Sequence, residues 1–174
     1  YFAWEKPVLD QISCHYQTGK SLPDSLIKKM RNAKNFQAGL QLLRQLELSL
    51  FDFRLHLEFD PKKDYTQIQA LLDKIRKRIN IIPVSPFNRF QHGFSHIFAG
   101  GYAAGYYSYL WAEVLSCDAF TKFLEDGIFN QETGQAFLQS ILEQGGAIDA
   151  MELFKKFRGR EPKIQAFLKS LDIE

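Results

Sequence analysis

Between Phe90 and Ala112 no residue carries a formal charge, yet this run holds two histidines, four tyrosines and four glycines. An uncharged stretch of that length raises the possibility of a membrane helix. Gln91, His92, Ser95, His96 and the tyrosines interrupt any continuous apolar span, and Gly101-x-x-x-Gly105 alone does not make a membrane dimer motif. The run must therefore fold against protein, with phenols and imidazoles as its polar groups. Gly100 and Gly101 permit backbone conformations closed to other residues, and Ala103 onwards reads as helix, so the spacing predicts a loop feeding a helix. Tyr102, Tyr106 and Tyr109 then stand at i, i+4 and i+7 on one face that Glu113 continues, with His96 on the loop beside them. Tyr107, Leu110 and Trp111 are expected to point into the core. Such a face is either an aromatic stripe with each hydroxyl on a backbone carbonyl, or a dry groove that stabilises negative charge on oxygen.

Other chemistry is weakly supported by the residues. His92-Gly-Phe-Ser-His96 has the i, i+4 spacing that a helix uses to grip zinc, but Gly93 stands where a zinc peptidase motif needs glutamate. Ser95 is adjacent to His96 in sequence, whereas a nucleophile and its base must meet in space. Glu113 is suited to act as a base or to cap a network, though a helix carboxylate is more often simply exposed. His15 and His56 are expected to be packed or exposed, and the lysine runs at Lys28-Lys29, Lys62-Lys63 and Lys155-Lys156 to be solvated faces.

The remainder of the chain reads as helix. With 174 residues, 45% hydrophobic content and 16 phenylalanines it can bury a core as one domain, residues 1–174, of about eight helices and no strand. The net charge of +2, with Lys and Arg interspersed among Asp and Glu, argues for neither nucleic acid nor an anionic membrane. Val8, Leu9, Ile12 and Tyr16 mark a first helix; Ser21, capping with Asp24 and Pro23, opens a second with Leu22, Leu26, Ile27 and Met30 inside. A long third helix is predicted from Asn35 to about Phe59 on a stripe of Leu40, Leu43, Leu46, Leu50, Phe53 and Leu57. Asp64 to Asn80 is amphipathic, with Ile68, Leu71, Leu72, Ile75 and Ile79 inside, and Pro83 and Pro86 force extended backbone after it. Further helices are predicted to about Glu125, from Asn130 to Leu142, behind a capping pair at Asp149 and Glu152, and around Ile164, Phe167, Leu168 and Leu171. Cys14 and Cys117 are expected to be buried free thiols, which fits a reducing cytosol. No signal peptide precedes the first helix, and the absence of an initiator methionine before Tyr1 suggests a piece of something longer.

The stretch Phe94-Ser-His-Ile-Phe-Ala-Gly-Gly-Tyr-Ala-Ala-Gly-Tyr-Tyr-Ser-Tyr-Leu-Trp111 resembles the signature loop and helix of the zinc oligopeptidases of the thimet oligopeptidase and oligopeptidase A family. Trp4-Glu5, His15-Tyr16-x-Thr-Gly19, Ala33-Lys-Asn-Phe36, Leu43-Arg-Gln-Leu46, Phe51-Asp-Phe-Arg-Leu-His56 and Phe157-x-Gly-Arg-x-Pro162 continue the likeness in the same order, so that essentially the whole chain resembles the C-terminal part of the oligopeptidase A branch. The resemblance implies an all-α portion of a zincin-like catalytic domain from a cytoplasmic zinc metalloendopeptidase acting on short peptides. That family holds zinc through an H-E-x-x-H helix and a glutamate on the next helix. Neither is present here, so the resemblance places the zinc ligands outside this chain, with none expected bound to it and no peptidase activity from it alone.

What the resemblance carries over is one wall of the cleft. Tyr109 matches the tyrosine that donates to the tetrahedral oxyanion, and His96 the histidine near the scissile carbonyl. Tyr102 and Tyr106 match tyrosines that hold substrate backbone, and Gly100, Gly101 and Gly105 a loop that adapts to different peptides. A non-catalytic helical module binding peptides or partners through the same groove is the alternative. Alone, the fragment is also expected to have apolar surface open to dimerisation.

Overall fold

A computed structural model of the chain describes residues 1–173. Among the described residues all regular structure is helical, in nine α-helical segments: α1 (Lys6–Ile12), α2 (Asp24–Asn35), α3 (Ala38–Glu58), α4 (Thr66–Ile79), α5 (Ser95–Phe98), α6 (Ser108–Asp126), α7 (Gln131–Phe137), α8 (Ala150–Arg158) and α9 (Gln165–Ser170). Since α5 is a single turn, the expectation of an all-α chain with about eight helices holds. No helix among the described residues is long and apolar enough to cross a membrane. The chain groups into two compact units, Gly39–Trp111 and the remainder on either side of it.

The unit Gly39–Trp111 is built on one stripe of α3. Leu48, Phe51 and Leu55 at i, i+3 and i+7 face Leu72 and Ile75 of α4, with Phe94, Ile97 and Tyr106 completing the cluster. Phe51 and Leu72 have no exposed surface, and each such side chain contributes about 1.5–3 kcal/mol on burial. This is not the stripe predicted for the helix: Leu50, Phe53 and Leu57 are 36%, 49% and 71% exposed. A helix apolar around most of its girth leaves periodicity unable to say which side is bound. Two carboxylates also lie on the buried side, Glu47 and Asp52. Glu47 accepts from Arg44 and Arg76 at 2.9 Å each and from the Asn80 amide at 2.9 Å, and Arg76 in turn donates to Asn88. That network ties the proline-containing segment after α4 to α3.

In the other unit Ala119 and Phe123 of α6 pack with Phe154 and Phe157 of α8, flanked by Phe120, Phe137 and Ile141. Asn130 caps α7 by accepting the Thr133 N–H, and Asp149, the cap expected from its pairing with Glu152, caps α8 by accepting the Met151 N–H. Buried Asp118 accepts two bonds from the Arg160 guanidinium, at 2.6 and 2.5 Å, and the Lys163 N–H at 2.6 Å. It thereby pins the chain between α8 and α9 to α6.

Several local expectations are corrected. Helix α2 begins at Asp24 with Pro23 as its cap residue, not behind Ser21, because the residue before a proline is driven out of helical geometry and Leu22 cannot start a helix. Of its predicted stripe Ile27 is buried, while Leu26 and Met30 are exposed. Asn35 ends α2 instead of opening α3; Gln37, with φ of 56°, turns the chain between them. Cys14 follows the end of α1 and is an exposed free thiol, whereas Cys117 is buried as expected.

Candidate functional site

The focal segment starts in α5, where the Ser95 carbonyl accepts the N–H groups of Ala99 and Gly100 at 2.7 and 2.8 Å. The chain then folds back on that turn. A Cβ on Gly100 would lie 2.9 Å from the His96 Cα, so no side chain fits there, and Gly101 has φ of 80°. The Tyr102 N–H donates to the His96 carbonyl at 3.0 Å, bringing residue 102 alongside the histidine.

From Tyr102 to Tyr107 the backbone runs in turns, and α6 starts at Ser108 instead of Ala103. Ala104, with φ of 55°, is in the left-handed region and cannot belong to a right-handed helix. Asp52 holds that turn from α3. One carboxylate oxygen accepts the Ala104 N–H at 2.9 Å and the other the Tyr106 N–H at 2.8 Å. Tyr102 and Tyr106 therefore lie on turns and Tyr109 alone of the three on the helix.

The rings nevertheless assemble. Tyr102 and Tyr109 stack with centroids 5.0 Å apart, and Tyr106 lies 5.1 Å from Tyr109. The His96 ring stands 6.3, 5.8 and 6.5 Å from Tyr102, Tyr106 and Tyr109. Their exposure differs in a way that separates what each can do. Tyr109 is 42% exposed and His96 is exposed, whereas Tyr106 is buried, its edge against Phe94 and its hydroxyl donating to Gln45 at 3.1 Å. Tyr109 thus offers a phenol to an incoming group, and Tyr106 supports the cluster through its ring.

The neighbouring Tyr102 hydroxyl pushes the Tyr109 phenol above its usual ionisation range, with burial and the Tyr106 phenol acting in the same direction. Burial raises Tyr106 as well, against the charge of Arg44. Both remain protonated donors at neutral pH, the state a site for an electron-rich oxygen requires. Tyr107 and Trp111 are not in the core: they are 51% and 46% exposed, with Tyr107 edge-on to Phe53. Glu113 is exposed and accepts the Tyr1 hydroxyl at 2.9 Å.

The histidine pair at positions 92 and 96 does not share a helix. His92 lies on the 3-10 turn Phe90–Gly93, His96 on α5, and Phe94 with ψ of 70° breaks the chain between them. Among the described residues no group of three or more His, Cys, Asp or Glu side chains is placed to hold a metal ion. Asp52 and Gln45 escaped the sequence analysis. Asp52 left a signal, a carboxylate directly beside Phe51 between Leu48 and Leu55 on what is the buried stripe of α3.

Comparison with known proteins gives matches over nearly the whole chain. The profile described as Peptidase family M3 covers residues 1–173. Oligopeptidase A of Escherichia coli is 56% identical over 173 residues, which are 99% of this chain and 25% of that protein. Oligopeptidase A of Salmonella typhimurium is 55% identical over 173 residues, again 99% and 25%, and that of Haemophilus influenzae 53% over 168 residues, 97% and 24%. The chain spans about a quarter of the length of these relatives.

Proposed function

Because the chain belongs to peptidase family M3, we propose that it is the C-terminal part of a zinc-dependent metallo-oligopeptidase that hydrolyses short peptides in the cytoplasm. The metal and its ligands belong to sequence outside this segment. The segment supplies a phenol wall: Tyr109 donates to the oxygen that becomes negative at the scissile carbonyl, His96 stands beside that carbonyl, and Tyr102 with the Gly100–Gly101 turn meets the peptide backbone. Gly105, in the turn before Tyr106, belongs to the same wall. Tyr106 acts through its ring, its hydroxyl being taken by Gln45. The observation carrying this assignment is the exposed Tyr109 phenol stacked on Tyr102 with the His96 ring beside it. Two free thiols suit a reducing compartment.

The test is hydrolysis of a short peptide by the full-length protein. Cleavage lost on chelation and restored by zinc is expected. A peptide bound but left intact would overturn the proposal in favour of a binding module. Expressed alone, the segment is expected to pair with a second copy through exposed Leu50, Phe53 and Leu57 of α3. Light scattering at the monomer mass would refute that pairing.

A further inference from the structure

We infer that Asp52 is a positioning residue for the tyrosine wall, acting through the loop it clamps. Three observations converge on it. Its side chain has no exposed surface, so it cannot meet a peptide itself. Its two oxygens take the N–H groups of Ala104 and Tyr106, amides that flank one residue in a loop and point at a helix 52 and 54 positions earlier in sequence. Between those amides the backbone passes through a left-handed alanine, a conformation that costs an L residue energy and persists only where its surroundings impose it. Charge-assisted bonds to two N–H groups are strong enough to impose it.

The clamp bears on the site because of what lies on either side. Tyr106 follows directly, and its ring packs 5.1 Å from Tyr109; Tyr102 precedes the left-handed turn by two residues and stacks on Tyr109 at 5.0 Å. Fixing residues 104 and 106 thus fixes both neighbours of the exposed phenol. The other polar group on the carboxylate is His56, whose Nδ1 stands 3.0 Å from Asp52 Oδ1 and 2.9 Å from the Asp52 carbonyl, one turn along α3. Both bonds from the loop to Asp52 are donated by backbone N–H groups, so its influence runs through backbone.

The inference rests on the proposed role of Tyr109, and the experiment separates the two. In the full-length peptidase, Asp52→Asn keeps the volume but presents an amide N–H to one of the two loop donors. It is expected to lower kcat roughly 10- to 100-fold, the scale of misplacing a catalytic group by about 1 Å. KM is expected to rise by less than kcat falls, because the loss at Tyr109 belongs to the transition state while the loosened Tyr102 bears on bound peptide as well. Tyr109→Phe alone tests the phenol wall. In that background Asp52→Asn should lower kcat no more than about 3-fold further, because the oxyanion donor that it would position is already gone. Losses that multiply, or an increase in KM with kcat held, would overturn the inference while leaving the phenol wall intact. Amide exchange provides a readout independent of activity and of whether Asp52→Asn folds. In the unmutated protein Ala104 and Tyr106 should exchange far more slowly than exposed Gly101 and Ala103 of the same loop. Equal rates would refute the clamp.

Discussion

Replacing Tyr109 by phenylalanine in the full-length protein is expected, on the proposed function, to lower kcat about 100-fold, as loss of one oxyanion donor does, and to leave KM nearly unchanged. The reasoning follows from position and protonation. The phenol is exposed on the wall, Tyr102 and Tyr106 pack against its ring, and its ionisation is pushed above the ordinary phenol range, so it is a donor throughout the neutral range. Phenylalanine keeps the ring and its packing and deletes only the O–H. An interaction that strengthens as the carbonyl oxygen gains charge appears in kcat, whereas one present equally with bound substrate would appear in KM. Tyr107→Phe, which removes an exposed hydroxyl two residues earlier, is the control and should change neither constant. A kcat unaltered by Tyr109→Phe would remove this residue from the chemistry.

The largest expected loss of stability comes from Asp118→Asn. Burial pushes the Asp118 carboxyl up, but the Arg160 pair, the Lys163 N–H and the charge of Arg158 outweigh it and hold the group below its ordinary range. Removing one partner of a buried pair costs about 3–5 kcal/mol. The lower figure applies here, because Arg160 is a third exposed and Arg158 keeps its contact with Glu125 at 2.9 Å. A carboxyl with a depressed folded value contributes stability that is fully present above its unfolded value, 3.8, and is lost as pH falls through the lower folded value. Urea unfolding at neutral pH should therefore separate the two proteins by about 3 kcal/mol, and the gap should close progressively below pH ~4. Glu47, lowered by Asn80, Arg76 and Arg44 against its burial, adds to the same acid limb in both proteins. A gap that persists undiminished in acid would show that the carboxylate is not what holds residues 160 and 163.

What could be seen in the sequence was local. Asn130 and Asp149 announce helix starts because a cap needs only its own side chain and an N–H two or three residues on, and α4 announces its inner face because Lys74, Lys77 and Arg78 mark the outer one. The bound face of α3 was hidden, since apolar residues on both sides give the period no preferred direction. Proximity of Tyr102, Tyr106 and Tyr109 was correctly anticipated, but for the wrong cause. Their spacing fits one helix face, whereas two of them are brought in by a turn tied to a carboxylate 52 residues away, a contact no window of local sequence contains. The same distance explains why α6 starts later than propensity suggests.

One consequence of that turn concerns which amino acids residue 104 can tolerate. With φ of 55° the position selects by backbone handedness, not by side-chain chemistry. Glycine or asparagine would settle there at little cost. Valine, isoleucine or threonine would drive the peptide toward extended geometry and draw the following amide off its acceptor. Sequence drift at this residue is thus confined to a short menu set by the backbone alone.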